Sequence, residues 1–206
     1  ETLADPELPD DRRAHFAGRL SHQVRRMQAI VDDLLSLSRL ESAQPLAAPA
    51  PVDLRGRCAD LLQTLQPLAH ESKVLLELDC SVERLVPSDR GLIEAALKNL
   101  LENAIRYNRP GGKVVLTVRE EGAGLTLSVR DTGEGIPPQH LGRIFQRFYR
   151  VDPHRSREKG GTGLGLSIVK HAAGRLGGDV AVESTVGVGS TFTLRIPLGS
   201  AGGAGA

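Results

Sequence analysis

A segment near the middle of the chain reads Asn99-Leu-Leu-Glu-Asn103-Ala-Ile-Arg-Tyr107. Asn99 and Asn103 are four residues apart, so on a helix both side-chain amides project from the same face. An amide oxygen is a hard, neutral ligand for Mg²⁺, which keeps waters and shares phosphate oxygens. Asn is also a mediocre helix former, and local capping or hydrogen bonding of the two amides is the alternative. The pair therefore indicates a phosphate and metal site, with that alternative left open.

A second segment, Asp131-Thr-Gly-Glu-Gly135, follows a predicted strand and precedes Ile136. A carboxylate at this point can accept a hydrogen bond from the exocyclic amine of adenine, whereas guanine presents a carbonyl there. Gly133 and Gly135 would let the backbone approach a base closely. A string of this kind is weak by itself, because many turns that follow a strand look similar.

A third segment reads Gly161-Thr162-Gly163-Leu164-Gly165-Leu166 and opens a predicted helix. With Gly160 it superficially resembles a dinucleotide fingerprint, but no strand immediately precedes it and no acidic residue follows where a ribose contact is needed. A glycine stretch that opens a helix still offers backbone N–H groups and the positive end of the helix dipole to phosphates. We interpret it as a phosphate cradle and the hinge of a lid, and we expect residues 150–161 to be the mobile lid.

Basic and aromatic side chains accompany these segments. Arg106 is placed to meet a phosphate and Tyr107 to lie against a purine ring, although core packing is the plainer alternative for Tyr107. Between the second and third segments lies Phe145-Gln-Arg-Phe-Tyr-Arg150, where apolar residues can clamp a lid and Arg150 can meet a γ-phosphate. An amphipathic surface helix is the alternative for this stretch.

The pattern of apolar residues predicts an α/β domain behind one long helix. From Arg12 to about Glu41 no proline occurs, and apolar residues recur at steps of four and three, at Leu20, Val24, Met27, Val31 and Leu34. This seam favours a helix of a bundle over a single surface helix that packs on its own domain. Further helices are predicted at 54–71, 88–107, 139–149 and 164–176, and strands at 52–54, 73–78, 113–119, 125–131, 179–184 and 190–197.

Composition excludes several other classes of protein. Lys and Arg number 26 against 25 Asp and Glu, so no strong field favours nucleic acid or an anionic membrane. The two cysteines, Cys58 and Cys80, lack metal-ligand spacing and are expected to be buried thiols rather than a disulfide. No segment is apolar enough to span a membrane, and no Walker A, HRD-type kinase or Ser-His-Asp pattern is present.

As an ordered set, the segments resemble the ATP-binding domain of sensor histidine kinases, with a PhoR-like character. The matching boxes are 99–108, 131–135, 145–150, 161–166 and 187–190, and the resemblance covers 52–198. It implies a two-layer α/β sandwich of the Bergerat type, with a mixed sheet and helices on one face, preceded by one long helix. Residues 1–44 resemble the second helix of the dimerisation and phosphotransfer hairpin, 45–51 are a linker, and 199–206 are expected to be a disordered tail.

The resemblance also implies cofactors, partners and residue roles. ATP and Mg²⁺ are the cofactors; Asn103 is the main metal ligand, Asn99 supports metal and phosphates, and Asp131 selects adenine. The γ-phosphate is expected to pass to a histidine of the dimerisation domain and then to an aspartate of a response-regulator receiver domain. The full-length protein is expected to be a homodimer anchored in the inner membrane, with this cytoplasmic part making no direct membrane or nucleic-acid contact.

Two departures qualify this prediction. Hydrolysing ATPases and protein serine kinases of the superfamily resemble each other in carrying a glutamate base four residues before the magnesium asparagine. Here that position is Asn99, which cannot accept a proton. His15 and His22 lack the family's acceptor context, so we expect the phosphoacceptor helix to be missing from this chain. An ATP-gated binding module, or an ATPase or serine kinase relative of the same fold, is the alternative.

Overall fold

The computed structural model describes residues 10–41, 50–152 and 161–198. Most of the predicted linker, the predicted tail and residues 153–160 of the predicted lid lie outside these ranges. The described helices are α1 (Asp10–Glu41), α2 (Leu54–Glu71), α3 (Arg90–Arg106), α4 (Pro138–Leu141) and α5 (Gly165–Arg175). The strands are β1 (Ala50–Val52), β2 (Leu75–Cys80), β3 (Val86–Ser88), β4 (Lys113–Glu121), β5 (Gly124–Asp131), β6 (Asp179–Thr185) and β7 (Gly189–Pro197).

The central layer is a five-stranded sheet in the order β2-β4-β5-β7-β6. β2 and β4 run parallel and the other neighbouring strands run antiparallel, which makes the sheet mixed. In β4, Val114, Leu116 and Val118 are fully buried while the residues between them are half-buried. This alternation places one apolar face of the sheet against the helices. The predicted α/β sandwich with a mixed sheet is therefore confirmed.

α3 is the helix that positions the Asn pair. Its N-cap is Asp89, whose Oδ1 accepts a hydrogen bond from the backbone N–H of Leu92 at 3.0 Å. Apolar side chains recur along the helix, and Leu97, Leu100 and Leu101 are at most 1% exposed. Because this face packs in the core, the residues on the opposite face, including both asparagines, are turned away from the sheet.

Two local predictions were wrong. The segment 139–149 was predicted to be helical, but the helix ends at Leu141 and turns follow it. Phe148 has a φ of 61°, outside the helical region, and its N–H donates to the Gly163 carbonyl at 2.8 Å. The short strand β3 was not predicted; it pairs with β1, which begins at Ala50 instead of at residue 52.

α1 is one long helix whose C-terminal part packs on the domain. The five seam residues named above are between 43% and 67% exposed, whereas Leu37 is 2% exposed and packs against α5. The seam is thus uncovered, while the end of the helix folds back on the domain. Within the described ranges, every helix is too short or too polar to cross a lipid bilayer.

Candidate functional site

A cavity of about 910 Å³ lies between α3, the loops at 131–137 and 161–165, and one side of α1. A volume of this size suits a nucleotide-sized ligand. The structure brings thirteen of the predicted site residues to its wall: Asn99, Asn103, Arg106, Tyr107, Asp131, Gly135, Ile136, Arg150, Gly161, Thr162, Gly163, Gly165 and Leu166. Gly133 and Leu164 were predicted as well, but the structure places both off the cavity wall.

Asp131 lines the cavity and is 8% exposed. Its Oδ1 accepts hydrogen bonds from the backbone N–H groups of Gly133 at 2.8 Å and Ser190 at 3.3 Å. Among the described residues no donor bonds to Oδ2, so one oxygen is held and the other is available. Burial raises the pKa of Asp131, and the two backbone hydrogen bonds oppose that shift. The site therefore offers a buried, oriented acceptor to a ligand amine.

The loop after Asp131 is fixed by backbone contacts from distant segments. Gly135 has a φ of 70°, and a Cβ at this position would overlap the carbonyl oxygen of Thr185. The N–H of Glu134 donates to the Tyr107 carbonyl at 3.2 Å, and that of Ile136 donates to Ser184 Oγ at 2.8 Å. Close packing at Gly135 explains why glycine is required there. Gly133 belongs to this loop but lies off the cavity wall, and its N–H orients the Asp131 carboxylate.

The two asparagines of α3 differ in what they contact. Asn99 donates from Nδ2 to the Ala95 carbonyl at 2.9 Å, and its Oδ1 would lie 2.7 Å from a Cβ placed on Gly165. The local hydrogen bond considered as an alternative is thus present at Asn99. The Asn103 side chain lines the cavity and makes no hydrogen bond within the described part of the chain. Asn103 is therefore the amide left available to a ligand.

The chemistry of these donors fits Mg²⁺ bound together with a nucleotide. The described residues contain no group of three or more His, Cys, Asp or Glu that could hold a metal alone. Mg²⁺ is commonly held by one or two protein oxygens, several waters and substrate phosphates. One uncommitted amide at Asn103 matches that pattern better than it matches a metal site made only of protein ligands.

Charged side chains of α3 surround the Asn pair. Glu102, between the two asparagines in sequence, also lines the cavity. It forms ion pairs with Lys98 at 3.9 Å and with Arg106 at 3.8 Å, and both of these residues also line the cavity. The helical face that meets the cavity is therefore wider than the line through Asn99 and Asn103.

The segment 161–166 is held in place by apolar contacts with α1 and α5 and by a hydrogen bond from Arg150. Leu164 is fully buried against Leu37 and Ile168, which explains its absence from the cavity wall. Thr162 Oγ1 accepts a hydrogen bond from the Leu164 N–H at 3.1 Å. Arg150 donates to the Gly161 carbonyl, so the aromatic-basic segment and the glycine segment are joined next to the cavity.

Among the parts of the wall that sequence reasoning missed, two lie outside α3 and bear directly on the site. Tyr149 lines the cavity; its hydroxyl lies 2.6 Å from Nδ1 of His140, and Arg143 lies 4.5 Å from its ring centre. The order of aromatic and basic residues gave a signal for Tyr149. The other part comes from α1, which contributes Ala29, Asp32, Asp33 and Ser36. No local pattern indicates that contact, since the helix and the loop it meets are more than a hundred residues apart.

Comparison with known proteins agrees with this geometry. Residues 88–200 match the model of the family described as histidine kinase-, DNA gyrase B- and HSP90-like ATPase. The chain is 37% identical over 195 residues to the sensor-like histidine kinase SenX3 of Mycolicibacterium smegmatis, covering 95% of this chain and 50% of SenX3. It is 35% identical over 196 residues to the phosphate regulon sensor protein PhoR of Pseudomonas aeruginosa, covering 95% and 44%.

A solved structure extends the comparison to the fold. Full-length ShkA in complex with AMPPNP superposes with a TM-score of 0.77 at 29% identity, covering 93% of this chain and 40% of ShkA. AMPPNP is an ATP analogue. The chain spans about half of the length of the two sensor kinases and less of ShkA.

Proposed function

Because the chain belongs to the histidine kinase-, DNA gyrase B- and HSP90-like ATPase family, we propose that it is the catalytic part of a sensor histidine kinase. In this proposal it binds Mg-ATP in the cavity and presents the γ-phosphate to a histidine of a dimerisation domain. An aspartate of a response-regulator receiver domain then takes the phosphate. The sensor kinases that match along most of this chain support the same assignment.

The observation that carries the proposal is the state of Asp131. Its Oδ1 accepts from two backbone donors, no described residue donates to Oδ2, and the residue lines the cavity, which suits the exocyclic amine of adenine. The carbonyl of guanine would instead face a carboxylate oxygen, acceptor against acceptor. We therefore propose that this end of the cavity binds the base and selects adenine.

The phosphate end would then lie along α3 and the segment 161–166. Asn103 would hold Mg²⁺, which neutralises phosphate charge when it is bound. Lys98 and Arg106 supply positive charge beside it, and the backbone N–H groups that open α5 favour an anion. In this arrangement the chain's residues orient the nucleotide and leave the γ-phosphate to an external nucleophile.

The residue at position 99 argues against the hydrolysing and serine-phosphorylating relatives. An asparagine has no base to offer to water or to a hydroxyl at neutral pH. Glu102 lines the cavity, but its carboxylate is paired with Lys98 and Arg106 on the same helix. We therefore propose slow hydrolysis and efficient transfer to a positioned histidine.

α1 is assigned by the same proposal to the second helix of the dimerisation hairpin. Its uncovered seam supports this assignment, because two such helices from each of two chains close their apolar faces on one another in a bundle. We propose a homodimer for the full-length protein, in which this chain is a cytoplasmic portion of an inner-membrane sensor.

Transfer is tested by incubating the chain with γ-labelled ATP, alone and with a separate hairpin that carries an acceptor histidine. We expect acid-labile, base-stable label on the hairpin and none on the chain alone. Asn103→Ala should abolish Mg²⁺-dependent transfer, and Asn103→Asp, which keeps an oxygen ligand, should restore part of it. Label on His15 or His22 of the chain alone would contradict the assignment of α1, and rapid phosphate release without the hairpin would favour an ATPase.

A further inference from the structure

α1 forms a wall of the cavity, although it lies outside the part of the chain that matches the ATPase family model. It is fixed there by its C-terminal end. Leu37 is buried against Leu164 and Ile168, and Glu41 pairs with Arg147 and with Nε2 of His171, the latter at 3.0 Å. The seam residues nearer the N-terminus of α1 are exposed, so α1 is held on the domain by these contacts.

The docked helix contacts the segment that opens α5. Thr162 Oγ1 donates a hydrogen bond to Oδ2 of Asp33 at 2.6 Å. Asp33 is half-buried, and Lys98 on α3 lines the same cavity and interacts with it electrostatically. Burial raises the pKa of Asp33, while the Thr162 hydroxyl and the Lys98 ammonium favour its ionised form. A carboxylate from α1 thus engages two groups at the proposed phosphate end.

We propose that Asp33 determines which nucleotide the docked chain prefers: its carboxylate competes with the γ-phosphate for Thr162 and Lys98, so docking of α1 favours ADP and ATP displaces the helix. The inference rests on the proposed function, because it needs phosphates at this end of the cavity. A carboxylate and a phosphate are both anions that seek the same donors, and they repel each other. ADP lacks the γ-phosphate, so it avoids most of this competition.

The consequence is a measurable difference between the affinities for ATP and for ADP, two ligands that differ only in the γ-phosphate. A ligand shifts an equilibrium between docked and undocked helix only as far as its affinities for the two states differ. One charge-assisted hydrogen bond at Asp33 corresponds to a change of about tenfold in relative affinity. Asp33→Asn should therefore raise the affinity for Mg-ATP about tenfold and change that for Mg-ADP less than about twofold.

The test is calorimetric titration of the full chain with Mg-ADP and Mg-ATP at fixed pH and salt. Asp32→Asn is the matched control, because Asp32 lines the same wall and its removal deletes the same charge without breaking the bond to Thr162. It should change both affinities in similar proportion. Glu41→Gln loosens the docked helix away from the cavity and should raise ATP affinity relative to ADP.

Hydrogen exchange of residues 27–41 gives an independent readout, which should speed up with Mg-ATP and stay slow with Mg-ADP. The inference is overturned if Asp33→Asn leaves the ATP to ADP ratio unchanged, or if Asp32→Asn shifts it equally. In either case ADP binding in the parent chain would leave the proposed function standing. A parent chain that binds neither nucleotide would overturn both.

Discussion

Asp131→Asn should change the base preference of the cavity and not only weaken binding. In the parent, Oδ1 accepts from the N–H groups of Gly133 and Ser190. An asparagine side chain meets these two donors best with its oxygen, which turns its NH₂ group into the cavity. There the NH₂ group opposes the exocyclic amine of adenine, donor against donor, and faces the carbonyl of guanine as a partner.

The size of the effect follows from the bond that is lost and the bond that is gained. A hydrogen bond to a charged group contributes roughly 1.5–3 kcal/mol, so ATP affinity should fall about tenfold to a hundredfold. A neutral hydrogen bond to guanine contributes roughly 0.5–1.5 kcal/mol, so GTP affinity should rise about twofold to tenfold. The ATP to GTP ratio should therefore fall by more than about tenfold.

Calorimetry with Mg-ATP and Mg-GTP measures both affinities, and thermal unfolding of each variant without nucleotide checks that it is folded. Asp179→Asn is the matched control: Asp179 is an exposed carboxylate on β6, paired with Arg195 at 3.9 Å, away from the cavity. A folded Asp131→Asn variant with an unchanged ATP to GTP ratio would refute the reasoning, as would equal affinities in the parent.

Four further outcomes are expected. The raised pKa of Asp131 means that the folded chain binds more protons than the unfolded chain just above pH 3.8, so this group's contribution to stability falls as pH rises through that window. ATP affinity should instead fall as pH is lowered through the same window, because the carboxylate is protonated, and calorimetry should show less of this trend in Asp131→Asn. Leu100→Ala removes a side chain with no exposed area and should cost about 2–5 kcal/mol in denaturant unfolding. Burial raises the pKa of Cys58 to about 12, so iodoacetamide at pH 8 should label it only after denaturation.

What could be predicted from the sequence depended on local geometry. The spacing of Asn99 and Asn103 gives their common direction as soon as the segment is helical, and the buried leucines between them set which way that face turns. Asp131 could be placed because the alternation along β5 ends there, before two glycines. All three are among the thirteen of the fifteen predicted site residues that lie on the cavity wall.

What could not be predicted depended on contacts between distant segments. Leu164 belongs to the glycine segment but is turned towards Leu37 on α1, and no pattern near either residue indicates the other. The helix predicted at 139–149 followed an amphipathic pattern, yet Phe148 takes a left-handed φ as its N–H bonds to Gly163. In both cases tertiary packing outweighs local propensity.

The hydrogen bond from Ser190 to Asp131 joins residues 59 positions apart in the sequence. β7, which carries Ser190, pairs with both β5 and β6, so the carboxylate proposed to bind the base is fully oriented only after β7 has joined the sheet. During synthesis, a ribosome must therefore deliver β7 before the nascent domain can hold a nucleotide tightly. A ligand that binds only the finished fold stabilises it by mass action. Under the proposed function, cellular ATP would stabilise chains in which β7 has joined the sheet over chains in which it has not.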